Sequence, residues 1–373
     1  MAANFEVGGV DTDEVFIPKS AVWLPGERGT VWGWGYNNDG VIGDGTRTHR
    51  SSPVQVGTLV YWDKVFCSGN SSFALTKDGA LWAWGNNTAG QLGNGTIIHR
   101  SSPIQIGSLT DWVAVGVGGY HSIARKTNGE VWVWGYNGYG QLGDGTITWK
   151  SSPVQLGTLT NWSNVAGGGR HSLARKTDGT LWAWGRNSNG QLGDGTTTHR
   201  SSPIQVGSST EWNNISTGIG HSIATRANGT LWAWGYNTDG QLGDGTVTPR
   251  FSPVQIGSLT NWADIACGGY HTIARKTNGT LWSWGRSVAG ELGDGAQINR
   301  SSPVQVGSLT NWSALAAGRY LSLATKTDGT LWRFGLDWPS QYVTPSQIGS
   351  LTNWSSIATT DTSYNSSIAI QSI

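Results

Sequence analysis

Cysteine, methionine and charge are all scarce in this chain, and each scarcity closes off a class of explanation. Two cysteines and one methionine among 373 residues are too few for a disulfide scaffold, so the fold must stand without oxidation. Charged residues make up 13% and the formal net charge is +1. No global field draws such a chain to nucleic acid, to acidic lipid or to an acidic tail, and neither nucleic acid nor membrane is expected as a partner. An apolar run of the ~18 residues or more needed for a membrane-spanning helix is missing. The N-terminus carries Asp11, Asp13, Glu14 and Glu27 and lacks a basic region leading into an apolar stretch, so no secretory signal is expected. The expected setting is soluble, cytoplasmic or virion-associated.

Glycine and tryptophan are abundant instead, at 56 and 23 residues, which suits many tight turns and large aromatic fillers. The tryptophans are periodic. Val31-Trp32-Gly33-Trp34-Gly35 recurs as Leu81-Trp82-Ala83-Trp84-Gly85, then at Trp132, Trp182, Trp232, Trp282 and Trp332, every 50 residues. A second series, Trp62, Trp112, Trp162, Trp212, Trp262, Trp312 and Trp354, keeps that spacing until its last step. Together the two series hold 20 of the 23 tryptophans, so Trp is chiefly structural here.

Between them runs a hairpin pattern, His121 to Arg125, a turn at Asn128-Gly129, then Glu130 to Trp134. Asp-Gly or Asn-Gly recurs at Asp78, Asp178, Asn228, Asn278 and Asp328, supplying the positive φ angles a tight turn demands. A glycine-rich loop follows, such as Gly140 to Gly145, and then a short outer strand, Ser151 to Gln155. One such unit cannot cover its own apolar faces and must stack against its neighbours. Seven copies predict an all-β, seven-bladed β-propeller over residues 29–373, with an N-terminal arm at 1–28. The chain opens on a Val-Trp strand and ends on Ser367-Ile368-Ala369-Ile370, the strand that precedes that motif elsewhere. The terminal strands should therefore pair and close the ring, removing free sheet edges. Cys67 and Cys267 then fall nearly across the ring, too far apart for a bridge.

The string Gly-x-x-His-Ser-x-Ala, Asp/Asn-Gly-x-Leu-Trp-x-Trp-Gly, Asn-x-x-Gly-Gln-Leu-Gly-Asp-Gly-Thr resembles the repeat of the regulator of chromosome condensation family. The resemblance covers essentially everything beyond Gly29. It implies a seven-bladed propeller, in agreement with the motif count. That family includes exchange factors for small GTPases, a bacterial inhibitor of β-lactamases, and bacterial and viral scaffolds. What it implies for function is protein recognition on a propeller face.

The repeated polar columns have plain readings. His121, His171, His221 and His271 share one column, which would suit a ring of metal ligands. Ser71 and Leu321 break it and no carboxylate or cysteine recurs beside it, so no metal is expected. A hydrogen bond from each imidazole to backbone within its own blade is expected instead. Arg50, Arg100, Lys150, Arg200, Arg250 and Arg300 each follow Asp44, Asn94, Asp144, Asp194, Asp244 or Asp294 by six residues. Acid and base should satisfy one another within the loop, the alternative being a basic crown for an anionic partner. Glycine clusters such as Gly116, Gly118 and Gly119 lack the following helix of a phosphate loop and read as turns. No nucleophile stands beside a matched base, so catalytic residues, a cofactor and enzyme activity are not expected.

The repeats diverge at the end of each hairpin opposite the Asn/Asp-Gly turn. The strand-entering column reads Asn70, Tyr120, Arg170, Gly220, Tyr270 and Tyr320, and the strand-leaving column Tyr36, Asn86, Tyr136, Arg186, Tyr236 and Arg286, with Tyr139 nearby. Tyrosine and arginine are frequent interface anchors, so these residues either form a protein-binding face or pack between blades. The seventh motif departs most, with Arg333-Phe334-Gly335, then Leu336-Asp337-Trp338-Pro339, and no glycine-rich loop. It reads either as an asymmetric gap flanked by Trp338, Tyr342, Arg319 and Tyr320, or as drift beside the closure seam. The arm, with Phe5, Phe16, Val22, Trp23 and Leu24, is too short for a core of its own and is expected to lie on the propeller or dock onto an assembly. The leading functional reading is a non-enzymatic protein-binding or structural scaffold, with a phage virion or surface-fibre component as a special case. The alternative is a regulatory propeller, either a GTPase exchange factor or an enzyme inhibitor.

Overall fold

A computed structural model describes residues 29–361 and 365–373; the arm at 1–28 lies outside them. The described residues form seven four-stranded antiparallel sheets. Six are sequential: blades 1 to 5 span 62–105, 112–155, 162–205, 212–255 and 262–305, and blade 6 spans 312–347. Blade 3 is representative, with strands Trp162–Gly167, His171–Lys176, Leu181–Gly185 and Arg200–Gln205 ordered from the channel outward. The closing blade joins Trp354–Thr359 and Ser366–Ser372 to Gly29–Gly35 and Arg50–Gln55. Gly29–Gly35 pairs with Ser366–Ser372 over seven consecutive positions, so the ring closes as the sequence predicts.

The hairpin turn differs in detail from the expectation. Gly129 has φ 83° while Asn128 is absent from the positive-φ residues. The Gly129 N–H donates to Lys126 O and the Lys126 N–H to Glu130 O, each at 3.0 Å, making a three-residue loop in which only the glycine is left-handed. The Asn128 side chain instead accepts from the Glu130 N–H at 3.0 Å.

The core lies between blades. Ile123, Val131, Val133, Leu142 and Leu156 of blade 2 pack against Trp162, Val165, Ala174 and Trp184 of blade 3, and each neighbouring pair repeats the arrangement. The second tryptophan of each motif is fully buried at Trp34, Trp84, Trp134, Trp184, Trp234 and Trp284. Its indole crosses the seam: Trp184 Nε1 donates to Gln141 O of the preceding blade at 2.9 Å, and Ser172 Oγ donates to the same carbonyl at 2.8 Å. Gly143 lies under that indole with φ +74°, where a Cβ would come within 2.7 Å of Trp184 Nε1. Left-handed backbone and forced contact add, so Gly143→Ala should lower stability by about 3 kcal/mol. A urea midpoint equal to the parent's would contradict this packing.

The first tryptophans are partly exposed and carry cations. Lys176 Nζ stands 3.8 Å from the Trp182 ring centroid and 5.1 Å from that of Trp162, a cation–π arrangement that recurs with Lys126, Arg226, Lys276 and Lys326. At the rim, Asp44, Asp144, Asp194, Asp244 and Asp294 pair with Arg50, Lys150, Arg200, Arg250 and Arg300 at 2.6 to 3.9 Å. The loop-internal reading of this column therefore holds. Where Asn94 replaces the acid, Arg100 Nε is left buried without a hydrogen-bond partner among the described residues.

Among the described residues the seventh motif continues as a hairpin and leaves no gap. Leu331–Asp337 runs on into Ser340–Gln347, with Asp337 opposite Ser340. Phe334 takes the buried tryptophan's place above Gly293. Arg333 donates to Asp337 Oδ2 and to the Tyr342 hydroxyl, both at 2.6 Å. Trp338 packs edge-on against His49 of the closing blade, 5.3 Å between ring centroids. Of the four residues expected to flank one opening, Trp338 and Tyr342 belong to this hairpin, while Arg319 lines the channel mouth.

Candidate functional site: the channel mouth

Because the Asn/Asp-Gly turns sit at one end of every hairpin, the residues entering the second strand and leaving the third meet at the other. There they surround a cavity of about 550 Å³. Tyr36, Tyr120, Arg170, Arg186, Tyr270 and Arg319 line it, together with Asn70, Ile219 and Asp361. The wall is built on backbone bonds between the two columns: the Arg186 N–H donates to Arg170 O at 2.9 Å, and the Tyr136 N–H to Tyr120 O at 2.8 Å.

The remaining predicted residues form two arcs. In the first, Tyr139 accepts a hydrogen bond from Arg170 Nη1 at 3.1 Å and lies 6.3 Å from Tyr136 and 5.1 Å from His199, centroid to centroid. Arg186 also approaches the Tyr139 ring. In the second, Tyr236 meets Tyr270 edge-on at 6.2 Å, and both Arg286 and Arg319 stand over Tyr270 and Tyr320. Tyr36 stacks on His49 at 4.4 Å, and Trp338 reaches this face through that histidine. The tyrosines thus pack on neighbouring loops, yet Tyr120 remains 45% exposed.

Three contributors were not legible in the columns. Asp361, which accepts from the Gly69 N–H at 2.6 Å, lies in the last repeat, where the spacing drifts. Ile219 replaces a glycine. Glu291 stands where four blades have glutamine and is fully buried; Oε2 accepts from the Ala289 N–H at 2.7 Å, and burial pushes its carboxyl up to about 7.

Just below the mouth the histidine column requires a correction. Each imidazole bonds across the seam to a hydroxyl of the next blade, not to backbone in its own: His121 to Ser172 at 2.9 Å, His171 to Ser222 at 2.9 Å, His221 to Thr272 at 3.3 Å and His271 to Ser322 at 2.8 Å. Those hydroxyls already donate to carbonyls of the preceding blade, so Nε2 must be the donor. Nδ1 has no hydrogen-bond partner among the described residues. Burial drives these imidazoles down to about 4 for His121 and about 3 for the other three, with charge from neighbouring histidines and Arg186 adding at His171. They are neutral structural donors. Among the described residues no three His, Cys, Asp or Glu side chains come together to hold a metal ion. The thiols of Cys67 and Cys267 line the channel interior and are free, and burial pushes Cys267 up to about 12. Among the described residues no helix is long and apolar enough to cross a membrane.

The family model described as the RCC1-like domain matches residues 18–246. The chain belongs to this family. Models of the regulator of chromosome condensation (RCC1) repeat match 228–275, 278–325 and 262–291 of this RCC1-like propeller. Among solved structures it is similar to human WBSCR16, at 20% identity and TM-score 0.81 over 92% of this chain and 99% of that one. It is similar to yeast RCC1 (Prp20) in complex with Kap60, at 19% identity and TM-score 0.81 over 98% and 97%. A second structure, of Prp20p from Saccharomyces cerevisiae, aligns at 20% identity and TM-score 0.81 over 94% of this chain and 93% of that one. At these identities the likeness is one of fold. No curated protein matches the sequence.

Proposed function

We propose that this RCC1-like propeller is a regulatory, non-enzymatic module that binds a protein partner over the channel mouth. The observation that carries the reading is the concentration of repeat-breaking tyrosines and arginines around one 550 Å³ opening, on a scaffold whose other columns serve the blades. Such side chains combine large contact area with hydrogen bonding, and a handful of them commonly supplies most of an interface's binding energy. The comparisons favour a regulatory role, as an exchange factor for a small GTPase or an enzyme inhibitor, over a structural or virion component. Yeast Prp20p, which shares the fold, binds Gsp1p and histones. The arm at 1–28 is proposed to tether the propeller to its assembly.

The test pairs affinity capture with nucleotide release from a panel of small GTPases. The triple variant Tyr120→Ala, Tyr270→Ala, Tyr320→Ala should weaken partner binding by roughly a hundredfold or more, about 1 to 2 kcal/mol per anchor, while keeping the parent's unfolding midpoint within a few degrees. Removing 1–28 should leave binding at the mouth intact and abolish retention in the assembly. A partner whose affinity is indifferent to the three tyrosines would move the site off this face. A panel in which no GTPase is accelerated would leave inhibition as the regulatory reading.

A further inference from the structure

We propose that two clefts, at the seams between blades 2 and 3 and between blades 4 and 5, each bind a small apolar carboxylic acid with its carboxylate on the ammonium of Lys176 or Lys276. The first encloses about 390 Å³ and is lined by Leu156, Leu159, Trp162, Lys176, Trp182 and Pro203, together with the glycine-rich loop of blade 2. The second, of about 360 Å³, is lined by the corresponding residues of blades 4 and 5, among them Trp262, Lys276 and Trp282. The Trp162 and Trp262 N–H groups donate to Gly129 O and Gly229 O at 3.3 and 3.1 Å, which sets these tryptophans at the turn end of the blades. Neither cleft shares a residue with the channel mouth, so the site is distinct from the protein-binding face.

Lys176 and Lys276 are more than nine-tenths buried, and each ammonium stands over two rings. Lys176 Nζ lies 3.8 and 5.1 Å from the centroids of Trp182 and Trp162, and Lys276 Nζ lies 3.6 and 4.9 Å from those of Trp282 and Trp262. The rings attract the cation but offer it no carboxylate. Blade 2 shows what that place accepts: Lys126 stands over Trp132 and Trp112 in the same way and holds Asp111 at 3.4 Å and Glu130 at 4.0 Å. Blades 3 and 5 have Asn161 and Thr180, and Asn261 and Thr280, at those positions. They keep the ammonium and drop its carboxylates. The nearby acids are committed elsewhere: Asp178 accepts from the Thr180 N–H and hydroxyl at 2.9 and 2.7 Å, while Asp144 and Asp244, which line the clefts, hold Lys150 and Arg250. Burial lowers the Lys276 ammonium, as expected of a cation denied a counter-ion. Leu159 and Leu259 line the clefts yet remain 46% exposed, apolar surface that a ligand's hydrocarbon would cover. The volumes lie near the lower end for small-molecule sites, which favours a free acid over a polypeptide terminus with more chain to place.

The experiment is isothermal titration calorimetry of the full chain with hydrocinnamate, its neutral amide and acetate. Hydrocinnamate should bind roughly tenfold or more tighter than its amide, which lacks the charge-assisted bond, and than acetate, which lacks the apolar contact. Lys176→Met with Lys276→Met should erase the preference for acid over amide. A second variant keeps both lysines and gives blades 3 and 5 the carboxylates of blade 2. With Asn161→Asp, Thr180→Glu, Asn261→Asp and Thr280→Glu the chain should fold, since blade 2 already carries this arrangement, and should bind hydrocinnamate roughly fivefold or more weakly while binding the amide as before. Equal affinity for acid and amide, or an acid affinity unchanged in the second variant, overturns the inference. An acetylated Ala-Ala-Leu peptide supplies the competing source. Tighter binding of its free acid than of hydrocinnamate, lost on amidation, overturns the small acid in favour of a polypeptide C-terminus; weaker binding supports the small acid.

Discussion

Acidification from about pH 7 to about pH 5 should cost this propeller about 5 kcal/mol of stability, well above the range where carboxylates normally titrate. His121, His171, His221 and His271 are fully buried, and burial pushes their imidazoles down to about 4, 3, 3 and 3 from the ordinary 6.5 of an exposed histidine. Between those limits the unfolded chain binds protons that the folded chain refuses. Their stabilisation is thus complete above the unfolded value and is lost as pH falls through the window towards the folded values. Each histidine contributes a slope of about 1.4 kcal/mol per pH unit, so the four together lose about 8 kcal/mol by about pH 5. Glu291 works the other way. Its carboxyl, raised by burial to about 7, is destabilising when ionised, and its protonation returns about 2 to 3 kcal/mol over the same interval. Asp337, also raised by burial although Arg333 opposes the shift, has the same sign. A net loss of this size approaches the whole stability of many domains. Urea midpoints measured from about pH 5 to about pH 7.5 should trace it, and His171→Gln should reduce the slope by about one proton. A flat profile above about pH 5 would mean that the imidazoles are solvated or charged in the folded protein.

Removal of the last strand should be at least as damaging. A chain ending at Asn365 loses Ser366–Ser372, the second strand of the closing blade, which pairs with Gly29–Gly35 on one side and Trp354–Thr359 on the other. Ile368 and Ile370 are buried with Val31, Trp62 and Trp84, and Ala369 packs with Trp34 and Trp354. Burying two isoleucines contributes about 1.5 to 3 kcal/mol each. The ladder on both sides is lost with them, and two sheet edges are opened to aggregation. The expected result is an aggregating chain without a cooperative transition, a loss of about 5 kcal/mol or more. A circular permutant that joins the C-terminus to residue 29 through a short linker and opens between the exposed Val247 and Thr248 should remain folded, because it keeps every blade. A truncated chain that unfolds at the parent's midpoint would contradict closure by the terminal strands.

What could be read from the chain was whatever repeats locally. The 50-residue spacing of tryptophans specifies one blade and its number of copies. The Asp-Gly and Asn-Gly pairs mark one end of every hairpin, and so which variable residues share the other. The Asp194–Arg200 pair was legible because six residues of one tight loop leave acid and base little choice of partner. Even the pairing of the termini followed from the copy count, since an incomplete motif at each end has one complement.

What the chain could not show is whatever depends on the angle at which one blade meets the next. His171 looks forward 51 residues to Ser222; spacing along the sequence does not reveal that blade stacking brings the ring and hydroxyl within hydrogen-bond distance, so a contact within one blade was the natural expectation. Trp338 reads as the flank of an opening, yet dropping the glycine-rich loop lets Asp337 pair with Ser340, and the ring swings onto His49. The same holds for the mouth. Its columns name the tyrosines and arginines, because each column is local to one hairpin end. The tertiary structure alone decides that Arg170 and Arg186 share the Tyr139 ring, and that Arg286 and Arg319 share two others, because those pairings form only where hairpin ends and loops converge on the channel.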